Sequence, residues 1–132
     1  NVMLPLTVAP LARKQKQRRA MDALAWVGLE TKVKRLPREI SGGEMERVAV
    51  ARAIVNDPPI LLADEPTGNL DSRTSHDIMA LLQRLNQEGM TIIMVTHSQG
   101  CAAYAKRVLQ ISDGRLTDDR RMAERVSLVA TG

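Results

Sequence analysis

The hydrophobic pattern changes character near residue 58. Before that point the apolar residues follow helical spacing: Met21, Leu24 and Val27 recur three residues apart, and Gly28 is placed to end the helix that they predict. A second run, from Glu44 to Asn56, is rich in strong helix formers and contains no glycine or proline. Residues 1–57 are therefore predicted to form a mostly helical arm behind an irregular lead over residues 1–10.

Residues 58–132 show a different pattern, in which short apolar runs alternate with helical segments. Ile60–Ala63 and Thr91–Val95 are continuous and strand-sized, which is typical of strands buried on both faces. Between them, a helix capped by Asp71 is expected to run to Gln87, with Gly89 ending it. Its apolar stripe consists of Ile78, Leu81, Leu82 and Leu85.

The remaining pattern predicts a short helix to Ala105 and then a β-hairpin. Its strands are Arg107–Ile111 and Arg115–Thr117, joined by an Asp-Gly turn, and a polar tail follows. Alternation of strands and helices indicates an α/β fold with a parallel sheet flanked by helices. Ligands of such sheets bind beyond the carboxyl ends of the strands.

Composition narrows the functional classes. The chain has 132 residues, which suits one domain or part of a larger one, and a formal net charge of +4. A single cysteine, Cys101, excludes an internal disulfide framework. The longest apolar runs fall well short of the about 20 residues that a membrane-spanning helix needs, and we expect no signal peptide. With no Phe, one Trp and one Tyr, base stacking is a poor basis for binding nucleic acid, so no nucleic-acid partner is expected.

A basic stretch precedes the first predicted helical face. It contains five cations in seven residues: Arg13, Lys14, Lys16, Arg18 and Arg19. Three interpretations stay open, namely a solvated helix face, a surface near membrane headgroups, and a nucleic-acid contact that no aromatic residue accompanies.

Two acids follow the first apolar run directly. Burying a carboxylate without a partner is costly, so Asp64 and Glu65 call for a functional or a capping explanation. A hard cation such as Mg²⁺ binds one or two carboxylates together with phosphate oxygens and water. A neighbouring carboxylate can orient an attacking water and accept its proton. The alternative is that the two acids cap the turn that follows.

Ser41-Gly42-Gly43 stands immediately before the second predicted helix. Glycines let the backbone approach an anion, and a helix N-terminus offers unpaired N–H groups and a positive dipole. Taken alone, the three residues would favour the interpretation as a flexible hinge. Their order along the chain, followed by the acidic strand end, Gly68-Asn69-Leu70-Asp71 and then His97, favours a phosphate site.

In that order the motifs resemble those of ABC-type ATPases. Ile40–Glu44 is similar to the signature motif, Ile60–Glu65 to the Walker B strand with its catalytic glutamate, Gly68–Asp71 to the D-loop, and His97 to the switch histidine. The wording Ala63–Asp71 is most similar to the macrolide-export and lipoprotein-release type. Ile40 and Glu44 depart from the usual Leu and Gln, and Glu44 is expected to weaken anion binding slightly.

The resemblance implies a fold, cofactors and residue roles. It implies a partial P-loop NTPase domain, with the helical arm and signature helix in residues 1–57 and the α/β part in residues 58–132. The cofactors would be ATP and Mg²⁺. In such ATPases two domains pair head to tail, so the implied roles are phosphate binding in trans by Ser41, Gly42 and Gly43, Mg²⁺ binding by Asp64, catalysis by Glu65, γ-phosphate sensing by His97, and bridging of the dimer by Asp71.

The 132 residues contain no Gly-x-x-x-x-Gly-Lys-Ser/Thr sequence, since no lysine follows a glycine. The chain is therefore expected to correspond to the C-terminal part of an ATPase domain and, alone, to bind ATP weakly and hydrolyse it negligibly. It is also expected to expose an apolar edge at Leu61 and Leu62, where the resemblance places a further strand.

The resulting hypothesis is an ATP-driven motor subunit of a membrane exporter or lipoprotein extractor. It would lie on the cytoplasmic face of the membrane and bind a transmembrane permease and a second ATPase domain. Two alternatives remain: a non-catalytic module that pairs with intact ABC ATPase domains, and an ABC-type ATPase that transports nothing. His76 lacks comparable context and is expected to be a solvated helix residue.

Overall fold

The computed structural model describes residues 1–122, which fall into two compact units. The first unit is Asn1–Val95 and the second is Thr96–Gly132, described as far as Met122.

Three helices dominate the first unit. They are α1 (Arg13–Trp26), α2 (Gly42–Ile54) and α3 (Ser72–Gln87), with short 3₁₀ turns at Leu4–Val8, Glu30–Lys32 and Pro37–Glu39. The lead over residues 1–10 is thus less irregular than predicted. Pro5 is the second residue of the turn Leu4–Val8, where its fixed φ suits the first helical positions, and Leu6 is fully buried.

The core of the arm lies where α1 and α2 pack together. Its buried members are Val2, Leu6, Ala20, Ala23, Val27, Leu29, Ala51, Val55 and Leu81. Small residues on α1 allow the two helices to approach closely, so Ala20 and Ala23 face α2 while Met21 stays 41% exposed. Of the predicted face of α1, Val27 is buried and Leu24 packs against this core, and only Met21 departs from the prediction.

Glycines end α1 and α3 as predicted. Gly28 and Gly89 have φ angles of +76° and +103°, which glycine adopts without steric cost.

The carboxyl ends of α1 and α3 are joined by a three-residue clamp. Trp26 Nε1 donates to Glu88 Oε2 at 3.1 Å, and the Arg84 guanidinium lies 4.5 Å from the centre of the Trp26 ring. Arg84 also pairs with Glu88 at 3.1 Å.

The sheet of the first unit consists of two parallel strands, β1 (Ile60–Asp64) and β2 (Thr91–Val95). α3 packs against β2. Leu61 is buried on one face of the sheet, and the predicted stripe of α3 is buried as well, at Ile78, Leu81, Leu82 and Leu85. The other face is open, with Leu62 at 74% and Ile93 at 52% exposure. Burial on both faces was therefore a wrong prediction, and of the two leucines expected at an exposed edge only Leu62 is exposed.

The second unit contains a short helix, α4 (Gln99–Ala102), and two strands, β3 (Arg107–Ser112) and β4 (Arg115–Arg121). The strands form the predicted antiparallel hairpin around Asp113 and Gly114. β4 extends into the segment that we expected to be tail, because Asp119 forms a two-bonded ion pair with Arg107 on β3. That pairing lowers the pKa of the Asp119 carboxyl. The rest of the polar tail lies outside the described residues.

Among residues 1–122, none of the helices is both long and apolar enough to cross a bilayer.

Candidate functional site

The amino end of α2 is built by a reciprocal cap. Ser41 Oγ accepts from the backbone N–H of Glu44 at 3.2 Å, and Glu44 Oε2 accepts from the N–H of Ser41 at 2.8 Å. This capping box uses two of the N–H groups that a helix start leaves unpaired. Within the described part of the chain, the N–H groups of Gly42 and Gly43 have no acceptor. These two remain available to an anion from outside.

Glu44 bears on the electrostatics of this helix start. Its other oxygen, Oε1, lies 3.2 Å from Lys32 Nζ. The Ser41 N–H and then the Lys32 ammonium lower the pKa of the Glu44 carboxyl, so it stays ionised. Because Lys32 supplies the matching positive charge, the carboxylate adds less negative potential to the helix start than its sequence position suggests.

Gly43 is required by a close approach between α2 and α3. A Cβ atom at this position would lie 2.3 Å from Thr74 Cγ2, which is closer than real Cβ contacts come. Thr74 cannot readily rotate away, because its hydroxyl donates to Asp71 Oδ2 at 2.6 Å. The second glycine of the Ser-Gly-Gly sequence is thus explained inside the chain.

Gly42 is different. A Cβ atom there would meet only Leu70 Cδ2, at an ordinary contact distance of 3.6 Å. Nothing within residues 1–122 forbids a side chain at this position. A glycine at such an open position is expected where a ligand or another chain approaches the backbone closely.

Asp71 caps α3 beside this helix start. Its Oδ1 accepts from the Thr74 N–H at 3.0 Å and its Oδ2 from the Thr74 hydroxyl, which together lower the pKa of the carboxyl. Arg47 adds a second link between the helices, since it donates to the Val27 carbonyl at 3.2 Å and lies 4.0 Å from Asp77. Ser41–Gly43 and Asp71 are thus brought together at one surface, which we call the α2–α3 junction.

The other predicted acids lie at the carboxyl end of β1. Asp64 pairs in register with Val95 at the end of β2, and the Glu65 N–H donates to the Val95 carbonyl at 2.9 Å. Asp64 is exposed, and within residues 1–122 its carboxylate has no hydrogen bond or ion pair from another side chain. The Asp64 carboxylate, which is the predicted metal ligand, is therefore available to a cation.

Glu65 has an unusual backbone. Its φ angle is +43°, in the left-handed region that non-glycine residues rarely occupy. The conformation is held by its own N–H bond to Val95 and by the Gly68 N–H, which donates to the Glu65 carbonyl at 3.0 Å. A glycine would adopt this conformation at lower cost, as it would at Asp57 and Asp113, which also have positive φ angles.

The donor set at this end of β1 fits Mg²⁺ better than a protein-enclosed metal. Among the described residues, no group of three or more His, Cys, Asp or Glu side chains is arranged to hold a metal ion. Mg²⁺ needs no such group, because it keeps several waters and takes one or two carboxylates plus substrate phosphates. Asp64 matches that requirement.

The two histidines differ in context. His97 follows β2 by two residues, is exposed and belongs to the second unit. His76 is exposed on α3, as expected.

Sequence reasoning missed two contributors to this surface, Thr74 and Lys32. Thr74 follows Asp71 at the spacing of a capped helix start, which was a usable signal. Lys32 contacts Glu44 across a turn of irregular chain, and no sequence spacing indicates that contact.

The profile of a family described as "ABC transporter" matches residues 2–68. The chain is 50% identical over 124 residues to the macrolide export ATP-binding/permease protein MacB of Chlorobium phaeobacteroides, a match covering 94% of this chain and 19% of that protein. It is 47% identical over 121 residues to the ABC transporter ATP-binding protein YvrO of Bacillus subtilis, covering 92% of this chain and 53% of YvrO.

A solved structure gives the same result for the fold. The dimeric, post-hydrolysis structure of the ATP-binding cassette MJ0796 bound to ADP and Pi matches with a TM-score of 0.77 and 36% identity. That match covers 94% of this chain and 56% of the cassette. The chain thus spans about half the length of the cassettes it matches and less than a fifth of the macrolide exporters.

Proposed function

The chain belongs to the ABC transporter family, and from that premise we propose that it is part of the ATP-binding and ATP-hydrolysing motor subunit of a membrane exporter or lipoprotein extractor. The observation that carries the proposal is the end of β1, where an exposed, unpaired Asp64 stands next to a glutamate held in a left-handed conformation. Such a strand end suits a phosphate-transfer site better than a structural role.

The proposed chemistry assigns one task to each acid. Asp64 would hold Mg²⁺, which when bound neutralises charge on the nucleotide phosphates. Glu65 would orient the attacking water and accept its proton, and its backbone constraint would keep the carboxylate in one position. His97 would contact the γ-phosphate through a hydrogen bond.

The α2–α3 junction is proposed to act on a nucleotide held by a second ATPase domain. Gly42 and Gly43 offer two unpaired N–H groups at a helix start, where the dipole favours an anion. The missing side chain at Gly42 leaves room for the phosphate, Ser41 supplies its hydroxyl, and Asp71 lies at the same surface, where it would bridge the two domains. Support for pairing comes from the MJ0796 cassette, which is described as dimeric.

The partners follow from the same relatives. MacB is named as an ATP-binding and permease protein, and a transmembrane permease is therefore the partner that we propose for this chain. That partnership would place the chain at the cytoplasmic face of a membrane.

A second candidate is a module that pairs with intact ABC ATPase domains without hydrolysing ATP itself. It is favoured by one observation, the open position of Gly42, where another chain could approach the backbone of α2 closely. On either proposal, these residues alone are expected to show weak ATP binding and negligible hydrolysis.

The decisive experiment joins residues 1–132 behind an N-terminal segment that carries the missing phosphate-binding sequence, taken from another ABC ATPase. We expect Mg²⁺-dependent ATP hydrolysis by this chimera. Glu65→Gln should lower the rate by about 100-fold or more while nucleotide binding persists, because the general base is lost. Asp64→Asn should raise the Mg²⁺ concentration needed for half-maximal hydrolysis, because a carboxylate ligand is lost.

A matched control removes a carboxylate elsewhere in the first unit. Glu30→Gln lies on an exposed turn and should leave the rate unchanged. Equal rates for Glu65→Gln and Glu30→Gln would contradict the catalytic proposal. Loss of hydrolysis on mixing an intact ATPase domain with the unmodified chain, restored by Ser41→Arg in the chain, would instead favour the pairing module.

A further inference from the structure

The helix start that we propose for phosphate binding has an acid in its own first turn. Glu44 is that acid, and its Oε2 accepts from the Ser41 N–H at 2.8 Å. Because Ser41 adjoins Gly42 in the chain, this capping bond holds the carboxylate beside the N–H groups that would bind an anion. A negative charge there suits the helix dipole but repels the anion.

Lys32 contacts the same carboxylate from a different segment. It is the last residue of the 3₁₀ turn Glu30–Lys32, and its Nζ lies 3.2 Å from Glu44 Oε1. One carboxylate oxygen is thus bonded to the helix cap and the other to the ammonium. The cap determines where the negative charge lies, and Lys32 places an equal positive charge next to it.

The cations between α1 and α2 are not equivalent. Lys32 is half-buried and paired with Glu44. Three neighbours, Lys34, Arg35 and Arg38, are exposed, and over residues 1–122 none of them forms an ion pair. Removal of the Lys32 charge should therefore affect the start of α2 in a way that removal of a neighbouring charge does not.

The distances are short enough for both charges to act on a bound anion. Charges are only partly screened from one another within about 10 Å at 0.1 M salt. Glu44 Oε2 is hydrogen-bonded to the residue before Gly42, and Lys32 is in contact with the other oxygen of the same carboxylate. Their electrostatic effects at the Gly42 N–H have opposite signs and largely cancel.

We propose that Lys32 sets the anion affinity of the α2–α3 junction by compensating the charge of Glu44. The inference rests on the proposed function, in which Gly42 and Gly43 bind a nucleotide phosphate. It goes further by assigning a role to a residue outside the phosphate-binding sequence. Lys32 acts through Glu44 and is a positioning residue, not a phosphate ligand. The weakening that the sequence predicts for Glu44 is therefore offset by a residue twelve positions earlier.

The test titrates inorganic phosphate into the 132-residue chain at constant ionic strength. Nuclear magnetic resonance follows the amide signals of Gly42 and Gly43, which should shift. The dissociation constant should rise about threefold in Lys32→Gln and fall about threefold in Glu44→Gln. The double variant should return to within about 1.5-fold of the unmodified chain, because the pair is again neutral.

Glu44→Gln should keep the helix start folded, since a glutamine oxygen can also accept from the Ser41 N–H, and circular dichroism checks this. Lys34→Gln and Glu30→Gln are matched controls. Each makes the same change in net charge at an exposed position two residues from Lys32, and each should change the dissociation constant by less than about 1.5-fold. In about 1 M sodium chloride the effects of Lys32→Gln and Glu44→Gln should vanish, which loss of a structural contact would not predict.

Three outcomes would overturn the proposal. A direct phosphate contact by Lys32 would leave the double variant as weak as Lys32→Gln. A purely structural ion pair would make both single variants bind more weakly. A lack of phosphate-dependent shifts at Gly42 and Gly43 in all of these proteins would remove the anion site on which the pair acts. ATP hydrolysis is not measured in this test, so an inactive chimera would contradict the proposed function without changing these three results.

Discussion

The α2–α3 junction and the end of β1 are both parts of the proposed site, yet their side chains differ in how far they are hydrogen-bonded within the chain. At the junction, Ser41 and Asp71 already bond to backbone and side-chain groups of their own chain. At the strand end, Asp64 is exposed without a described partner and Glu65 keeps a costly conformation. The junction side chains are therefore engaged inside the chain, whereas the Asp64 carboxylate is open to a ligand.

This contrast has a consequence for mutation. Changes at the junction should alter the free energy of unfolding, and changes at the strand end should alter chemistry while the fold persists or becomes more stable. The four predictions below test that division.

The largest difference in stability is expected between alanine substitutions at the two glycines of the junction. Gly43→Ala should lower the free energy of unfolding by about 2 kcal/mol, since the new methyl group overlaps Thr74. Gly42→Ala should be neutral or slightly stabilising, because it meets only Leu70 at ordinary distance. Urea unfolding of the two variants measures the difference. Equal stabilities would mean that Thr74 moves aside freely.

At Glu65, on the strand end, the effect of glycine on stability should have the same sign as at position 43: glycine should be more stable than alanine, although here glycine is not the natural residue. Comparing Glu65→Gly with Glu65→Ala removes the side chain in both cases, so the difference reports the backbone alone. We expect the glycine variant to be more stable by about 1 kcal/mol, because glycine adopts a φ of +43° without the Cβ clash. A more stable alanine variant would show that the left-handed conformation is not retained in solution.

Asp71 should make stability depend on pH. Its pKa is lowered in the folded chain from 3.8, so its contribution is present above that value and is lost as the pH falls through the folded pKa. Asp71→Asn keeps a capping side chain but has no charge to lose. The melting temperatures of the two proteins should differ by a few degrees near pH 6 and converge in acid. A constant difference would indicate that ionisation of Asp71 is not involved.

The smallest effect on stability is expected for Asp64→Asn. Because Asp64 is exposed and has no described partner, the free energy of unfolding should change by less than about 0.5 kcal/mol. In the chimera the same substitution should alter the Mg²⁺ dependence of hydrolysis. A destabilised Asp64→Asn protein would show a structural role that the geometry does not suggest.

Much of the fold could be predicted from local signals. Caps such as Ser41 and Asp71, and the terminating Gly28 and Gly89, act through contacts within a few residues, so the sequence contains the whole cause. The positions of β1 and β2 could likewise be predicted, because each strand coincides with a continuous apolar run in the sequence.

Features that depend on distant partners could not be predicted. Leu61 and Leu62 are neighbours with the same side chain, and only the position of α3 decides that one is buried and the other 74% exposed. Gly43 looked like a phosphate-binding glycine, but its close contact comes from Thr74, thirty-one residues later. In the candidate site, the sequence singled out the residues, and the structure shows that Gly43 and Asp71 have close partners inside the chain, whereas no described contact requires Gly42 or the Asp64 carboxylate.

The clamp at the ends of α1 and α3 provides an optical reporter. Trp26 is the only tryptophan in the sequence, and its indole nitrogen and ring face both contact side chains of α3. Emission excited at the red edge of protein absorption therefore comes from this one ring, and its wavelength and intensity follow the attachment of the arm to α3. Movement of the arm can be monitored in the unlabelled protein, with Glu88→Gln as the calibration for a loosened clamp.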